Sequence, residues 1–394
     1  QSNDLMPRNA DQLMKFKQNS DLFYLSGIDQ EDTILVCCKK LDSVQEILFI
    51  KETSDTIKIW EGEKLTKSEA KKISNIDLIF WNSDFKEKLQ TLLSEISIVY
   101  LNSNDHPRAN IIVETRNARF EKWMKIKYPQ KTYRKCSEIL YEIRAIKNQD
   151  EINLIQQACN ITDLGVKRVL KTLSPGVYEY EIEAEIIHEF MINKATGFAY
   201  DPIIASGESA CILHYGTNNK ICKDGDVVLM DFGAEYGNYA SDLTRCFPVN
   251  GRFTSRQRAV YNSVLSVMKS AKKLLKPGVY LEEYEKSVGK LMEKELVDLG
   301  LLSMQEVNSF KNTPAYKKYY MHGTSHHLGL DVHDVSNNKL PLSAGMILTC
   351  EPGIYIPAEG LGIRLENDIL IGDKTNIDLM EKIPIEADEI EDLL

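Results

Sequence analysis

Part of this chain is written twice. Leu173-Ser174-Pro175-Gly176-Val177-Tyr178 returns as Leu275-Lys276-Pro277-Gly278-Val279-Tyr280, and each copy precedes a charged amphipathic stretch. Asp224-Gly225-Asp226-Val227-Val228-Leu229-Met230-Asp231 is echoed by Ala344-Gly345-Met346-Ile347-Leu348-Thr349-Cys350-Glu351, and aligning Gly225 with Gly345 sets Asp231 against Glu351. Chance produces one such echo; two in the same order point to a duplicated helix–strand half. That pattern predicts a pseudo-twofold domain with an acid ending the same strand in each half and a site at the axis.

The repeat occupies only the later part of a 394-residue chain, which is longer than one ordinary core and predicts two domains, 1–145 and 146–394. In the first, apolar runs at 33–38, 46–50 and 96–101 read as buried strands and 84–94 as a helix between them, an α/β domain. Residues 141–150 are polar and charged and read as a linker. Ile152, Ile155, Cys159, Val166 and Val169 then recur at helical spacing. Thr254 with Gln257 predicts a capping box opening a scaffold helix.

A net charge of −10 argues against nucleic acid or an anionic membrane as partner, and no apolar run reaches the roughly 18 residues of a membrane helix. The eight cysteines are dispersed and form no CxxC pair, which predicts reduced, mostly buried thiols in a cytoplasmic protein. The reading expects no secretory leader, although the chain begins at Gln1 rather than Met.

Five residues form the candidate centre: Asp231, Asp242, His326, Glu351 and Glu366. Four carboxylates and one imidazole make a hard, oxygen-rich donor set, suited to Mn²⁺ or a similar ion rather than to structural zinc. Asp231 ends an apolar strand and Asp242 follows a turn at Tyr236-Gly237-Asn238. A Tyr236-Gly237 loop sets the two acids directly opposite, a Gly237-Asn238 loop sets them diagonally, and both share one face within about 5–8 Å. Like charges that close call for a cation between them. His322, His326, His327 and His333 are four of the seven histidines and crowd into twelve positions, with His327 read as the one outside the site. Glu351 is held at a strand break before Pro352-Gly353. Arg364, two before Glu366 on one strand face, is read as supporting a metal-bound carboxylate. His214, His188 and His106, taken alone, read as structural. The set describes a metal-dependent hydrolase.

These motifs, with Asn19-Ser20-Asp21-Leu22-Phe23-Tyr24-Leu25-Ser26-Gly27, the region of Arg144 and Lys147, and the run from His322 to Asp334, resemble the proline-specific metallopeptidases of the pita-bread fold, the aminopeptidase P type above all. The resemblance implies an N-terminal α/β domain followed by a pita-bread catalytic domain, and a homodimer or homotetramer. It implies two Mn²⁺ ions, with Zn²⁺ or Co²⁺ as substitutes. Asp242 and Glu366 would bridge them, Asp231 would complete one, and His326 and Glu351 the other. A hydroxide shared by the ions would attack the scissile carbonyl while Glu351 shuttles the proton. His214, His322 and His333 match the family's substrate-contacting histidines, and Tyr355 and Arg364 join the substrate-binding set. The implied substrates are peptides with proline in second position.

Prolidase shares the ligands and cleaves only Xaa-Pro dipeptides; the Ser325-His326-His327 form of the histidine motif favours the aminopeptidase. A non-catalytic peptide-binding relative is disfavoured because all five ligand positions are filled, and methionine aminopeptidase because it lacks a comparable first domain.

Overall fold

The computed structural model describes residues 1–40, 43–103, 111–309, 313–337 and 339–394; His106 lies outside the described residues. The chain divides into two compact units, Gln1–Tyr141 and Glu142–Leu394.

In the first unit the strand Ile34–Lys40 runs antiparallel to Ser43–Ile50, which runs parallel to Leu78–Trp81. Ile98–Leu101 pairs in parallel with Thr132–Lys135. Alternate side chains of the central strand serve opposite faces. Ile47 and Phe49 pack with Phe85, Leu89 and Leu93 of the helix Phe85–Ser94, while Leu48 and Ile50 pack with Ala70 of Lys67–Ser74. A sheet covered on both faces needs apolar residues at every position, which is why these strands read as continuous runs rather than alternating ones. The stretch read as a linker differs. Ser137–Ala145 is helical, and Gln149–Thr172 opens three residues beyond it behind an Asn148–Glu151 capping box. Arg144 and Lys147 are buried rather than solvated, 3% and 4% exposed, because their charges find carboxylate partners far along the chain.

The second unit contains the repeat, and its hydrogen bonds are duplicated with its letters. Helix Gln149–Thr172, the first proline turn and helix Glu179–Ile192 precede the strand Val227–Phe232; Ser255–Leu274, the second turn and Leu281–Asp298 precede Ile347–Cys350. Gly176 N–H donates to Cys222 O and Cys222 N–H to Val177 O, both at 2.8 Å. Gly278 N–H to Leu342 O and Leu342 N–H to Val279 O repeat the pair at 2.8 Å. Gly176 and Gly278 take φ of 100° and 89°, and Gly225 and Gly345 take 83° and 87°. Those are left-handed backbone values that glycine adopts without steric cost. The Thr254–Gln257 capping box forms as expected.

Val227–Phe232 is flanked antiparallel by Ile203–Ser206 and Leu243–Pro248, and Ile347–Cys350 pairs antiparallel with Asn367–Leu370. Arg245, fully buried, ties the halves together. Its guanidinium donates to the carbonyls of Thr244, Glu366, Ile383 and Pro384 and to Asn367 Oδ1. Burial presses its proton affinity down. All eight cysteines are free thiols, and Cys38, Cys159, Cys222, Cys246 and Cys350 are buried. No helix among the described residues is long and apolar enough to cross a membrane.

Gly233 is the tightest point beside the first acid pair: a Cβ there would stand 1.7 Å from Ser241 O, a backbone atom that cannot swing aside. Gly233→Ala is expected to lose about 3 kcal/mol, the upper end of ordinary overpacking, read as a lower urea midpoint at unchanged slope. A midpoint equal to that of the unsubstituted protein would show that the strand yields.

Candidate metal centre

Tyr236 pairs with Tyr239 and Asp231 with Thr244, so Gly237-Asn238 is the two-residue loop, with φ of 57° and 68° at its two positions. Both values positive is the turn that matches strand twist. Of the two registers open to the sequence this is the diagonal one. Asp231 and Asp242 share a face, and the Tyr200 hydroxyl reaches both, 2.6 Å from Asp231 Oδ1 and 2.5 Å from Asp242 Oδ1.

The histidine run lies beside the second-half strand. Thr349 N–H donates to His326 O and Glu351 N–H to Thr324 O. His326 Nδ1 faces its neighbour's carbonyl, His327 O, at 3.0 Å, which fixes the proton on Nδ1 and leaves Nε2 with a free lone pair. Nε2 stands 3.3 Å from Asp242 Oδ2 and 3.6 Å from Glu351 Oε1. Glu366 is 2% exposed and accepts from Thr244 Oγ1 at 2.7 Å. One donor atom each from Asp242, His326 and Glu366 lie within 4.8 Å of one another. The chain thus brings all five expected residues into one cluster: Asp231 joins through Tyr200, and Glu351 through His326.

Burial lifts the proton affinity of Asp242, Glu351 and Glu366, and their mutual repulsion adds to it. Glu351 rises to about 7, although His326 and Arg364 pull the other way. His326 also rises: desolvation opposes its charge, but Asp242 and Glu351 outweigh that. Acids that hold protons so firmly want a counter-charge, and hard oxygens around one imidazole with its Nε2 lone pair inward fit divalent cations.

Arg364 departs from expectation. It ends the strand Leu361–Arg364, whereas Glu366 lies beyond that strand. Its side chain is 5% exposed, and the guanidinium meets Asp231 Oδ2 at 2.5 Å, the Tyr355 hydroxyl at 2.8 Å and Thr244 Oγ1 at 3.1 Å. It is placed to support a carboxylate, as its spacing suggested, but that carboxylate is Asp231. Tyr355 is equally buried, and its hydroxyl also meets His322 Nε2 at 2.7 Å. His322 in turn stands 3.6 Å from Glu351 Oε2. His333 is exposed, its ring centred 4.2 Å from that of His326 in an edge-to-face contact. His214 is exposed in the turn after Gly207–Cys211; the adjacent Tyr215 hydroxyl donates to the buried Glu179. His327 is buried, and desolvation drops its pKa to about 3, so the ring is neutral. His188 is exposed on its helix.

Sequence reasoning missed Tyr200, Thr244 and Asp368. Asp368 Oδ2 accepts from the backbone N–H of Asp242 at 3.0 Å. Tyr200 had no signal, since nothing around it repeats or clusters. Thr244 and Asp368 each sit two residues beyond a candidate ligand, the same-face spacing in a strand.

The model for metallopeptidase family M24 matches residues 153–373, and that for the aminopeptidase P N-terminal domain matches residues 1–100. The chain is 35% identical to Xaa-Pro aminopeptidase of Escherichia coli (strain K12), over 98% of this chain and 91% of that protein. Among solved structures, a putative aminopeptidase P from Bacillus anthracis superposes with a TM-score of 0.92 at 33% identity, covering 99% of this chain and 91% of that one. Zinc-substituted E. coli aminopeptidase P in complex with product gives 0.88 at 34%, covering 100% and 92%.

The raised proton affinities set the sign of a pH effect on the metal-free protein. The folded state holds protons on Glu351, Asp242 and Glu366 that the unfolded state has released, so their contribution to stability falls as pH climbs from about 4.5 towards 7, while His327, held neutral by burial, contributes in the opposite sense below about 6.5. In chelator-treated protein Glu351→Gln is expected to raise the melting temperature more at pH 8 than at pH 5 by calorimetry, with added Mn²⁺ removing the gain. An equal or smaller gain at pH 8 would contradict the repulsion.

Proposed function

The chain belongs to metallopeptidase family M24, and on that premise we propose that it is a metal-dependent Xaa-Pro aminopeptidase, releasing the first residue of peptides whose second residue is proline. The observation that carries this reading is the convergence of Asp231, Asp242, His326, Glu351 and Glu366 from distant parts of both halves, in a chain 35% identical to an enzyme of that name.

The proposed occupants are two divalent ions, Mn²⁺ foremost. Asp231, Asp242, His326, Glu351 and Glu366 would hold them. Bound there, the ions would supply Lewis acidity and a water activated at neutral pH. The chain's own groups do the rest. Glu351, as a carboxylate, would take the proton released by the attacking water and return it to the prolyl nitrogen as the amide bond breaks. His322, backed by Tyr355 and Arg364, steadies that carboxylate. His214 and His333, both exposed, are assigned to the substrate carbonyl and its developing oxyanion. The tertiary amide of an Xaa-Pro bond has no N–H to donate and a constrained φ, so extended pairing of the kind general proteases use fails and a preformed site is needed. The homo-oligomer and the cytoplasmic setting belong to the same proposal.

Peptides of two to five residues, incubated with Mn²⁺-loaded protein, test it. Xaa-Pro-Yaa is expected to lose its first residue faster than the Xaa-Pro dipeptide is cut; turnover of the dipeptide alone would make the protein a prolidase. Asp242→Ala and Glu366→Ala are each expected to cost more than the roughly 10–100-fold typical of losing an outer support, with the circular dichroism spectrum unchanged. Near-normal turnover by either variant would contradict its assignment as a ligand.

A further inference from the structure

The residue that follows His333 is gripped by two buried cations. Asp334 has a side chain 2% exposed; Arg144 Nη2 meets its Oδ1 at 2.5 Å and Lys147 Nζ meets its Oδ2 at 2.9 Å, with those two side chains 3% and 1% exposed. The same Nη2 reaches the half-exposed Asp331 Oδ2 at 3.0 Å. Gly329 closes over the group, and a Cβ there would come 2.1 Å from Asp334 Oδ2 and 3.0 Å from Lys147 Cε. Burial pushes the Asp334 carboxyl up, but Lys147 and Arg144 outweigh it and hold the group below the usual carboxylate range. The backbone is tied as well: Asp334 N–H donates to His327 O, Gly329 N–H to Asp331 O, and Lys147 N–H to Gly345 O.

Buried ions of this kind are a poor source of stability, since apolar side chains of similar volume often serve as well. What they do supply is a fixed direction. The carboxylate is held by two donors on two oxygens, so the peptide unit joining Asp334 to His333 has little freedom. His333 leaves that unit and sets its ring edge-to-face against His326. Arg144 and Lys147 both reach Asp334, the residue that follows His333.

We propose that Arg144 and Lys147, clamped on Asp334, are positioning residues for His333 and hold its imidazole where it meets the substrate. The inference rests on the peptidase reading and deepens it: the segment 144–147, within the stretch first read as a linker, is part of the substrate site's foundation.

A double-mutant cycle on the Mn²⁺-loaded protein tests it, with Arg144→Met, His333→Ala and the pair assayed on Xaa-Pro-Yaa. Arg144→Met is expected to lower kcat/KM by up to about 100-fold, the scale of an ångström of misplacement, with the calorimetric Mn²⁺ affinity unchanged. In the His333→Ala background the same substitution is expected to cost less than about twofold, because a positioning residue has nothing left to position. Equal losses in both backgrounds, no loss in either, or a parallel fall in Mn²⁺ affinity would each overturn the clamp. If Arg144→Met does not fold, Arg144→Lys carries the cycle, keeping the charge but lacking the guanidinium's reach to both Asp331 and Asp334. An unsubstituted protein without turnover would overturn the peptidase reading and the clamp with it; turnover with additive losses overturns the clamp alone.

Discussion

Four carboxylates drawn into one pocket repel one another, and the second unit is arranged around that repulsion. Three of the acids have a donor aimed at them: Tyr200 at Asp231 and Asp242, Arg364 at Asp231, and Thr244 at Glu366, while His326 turns its Nε2 towards Asp242 and Glu351. These donors soften the repulsion without cancelling it, as the raised proton affinities of Asp242, Glu351 and Glu366 show. A site that remains short of positive charge after its own hydrogen bonds are made is one built to receive cations. The fold accepts a local loss of stability there because the strands carrying the acids are anchored in a large apolar core.

The second helix of each half carries one of those anchors. Glu179, fully buried, accepts from the backbone of Ser206 and Lys220 and from the Tyr215 hydroxyl, and so braces the turn bearing His214. Glu285 accepts from the backbone N–H and hydroxyl of Thr324, two residues before His326. In both cases an acid outside the centre holds a segment that reaches it.

What the sequence disclosed followed from periodicity and local chemistry. The duplicated turns announced a duplicated half because a Pro-Gly turn and an apolar strand ending in an acid are local patterns. The first-unit strands were legible because burial on both faces leaves uninterrupted apolar runs. Gly237-Asn238 was one of two loops that the hairpin allowed, and only the pairing of Asp231 with Thr244 decided between them. Polarity misled at 141–150, since a charged residue is read as solvated unless its partner is known, and the partner of Lys147 lies 187 positions away. Arg364 was read as a support beside Glu366 because that spacing is local, whereas its hydrogen bond to Asp231 spans 133 positions. Tyr200 was invisible for the same reason: one phenol in an unremarkable stretch acquires meaning only when two distant strands close around it.

Arg245 extends this dependence to the far end of the described chain. A cation sealed from water and satisfied by the carbonyls of Ile383 and Pro384, as well as by that of Glu366, makes the tail a structural member of the centre. Cutting the backbone near 383 would take two acceptors, the carbonyls of Ile383 and Pro384, from that guanidinium and loosen its grip beside Glu366. Peripheral by position, these residues help hold Arg245 against the backbone of Glu366, so damage there would reach the centre without touching any of its five side chains.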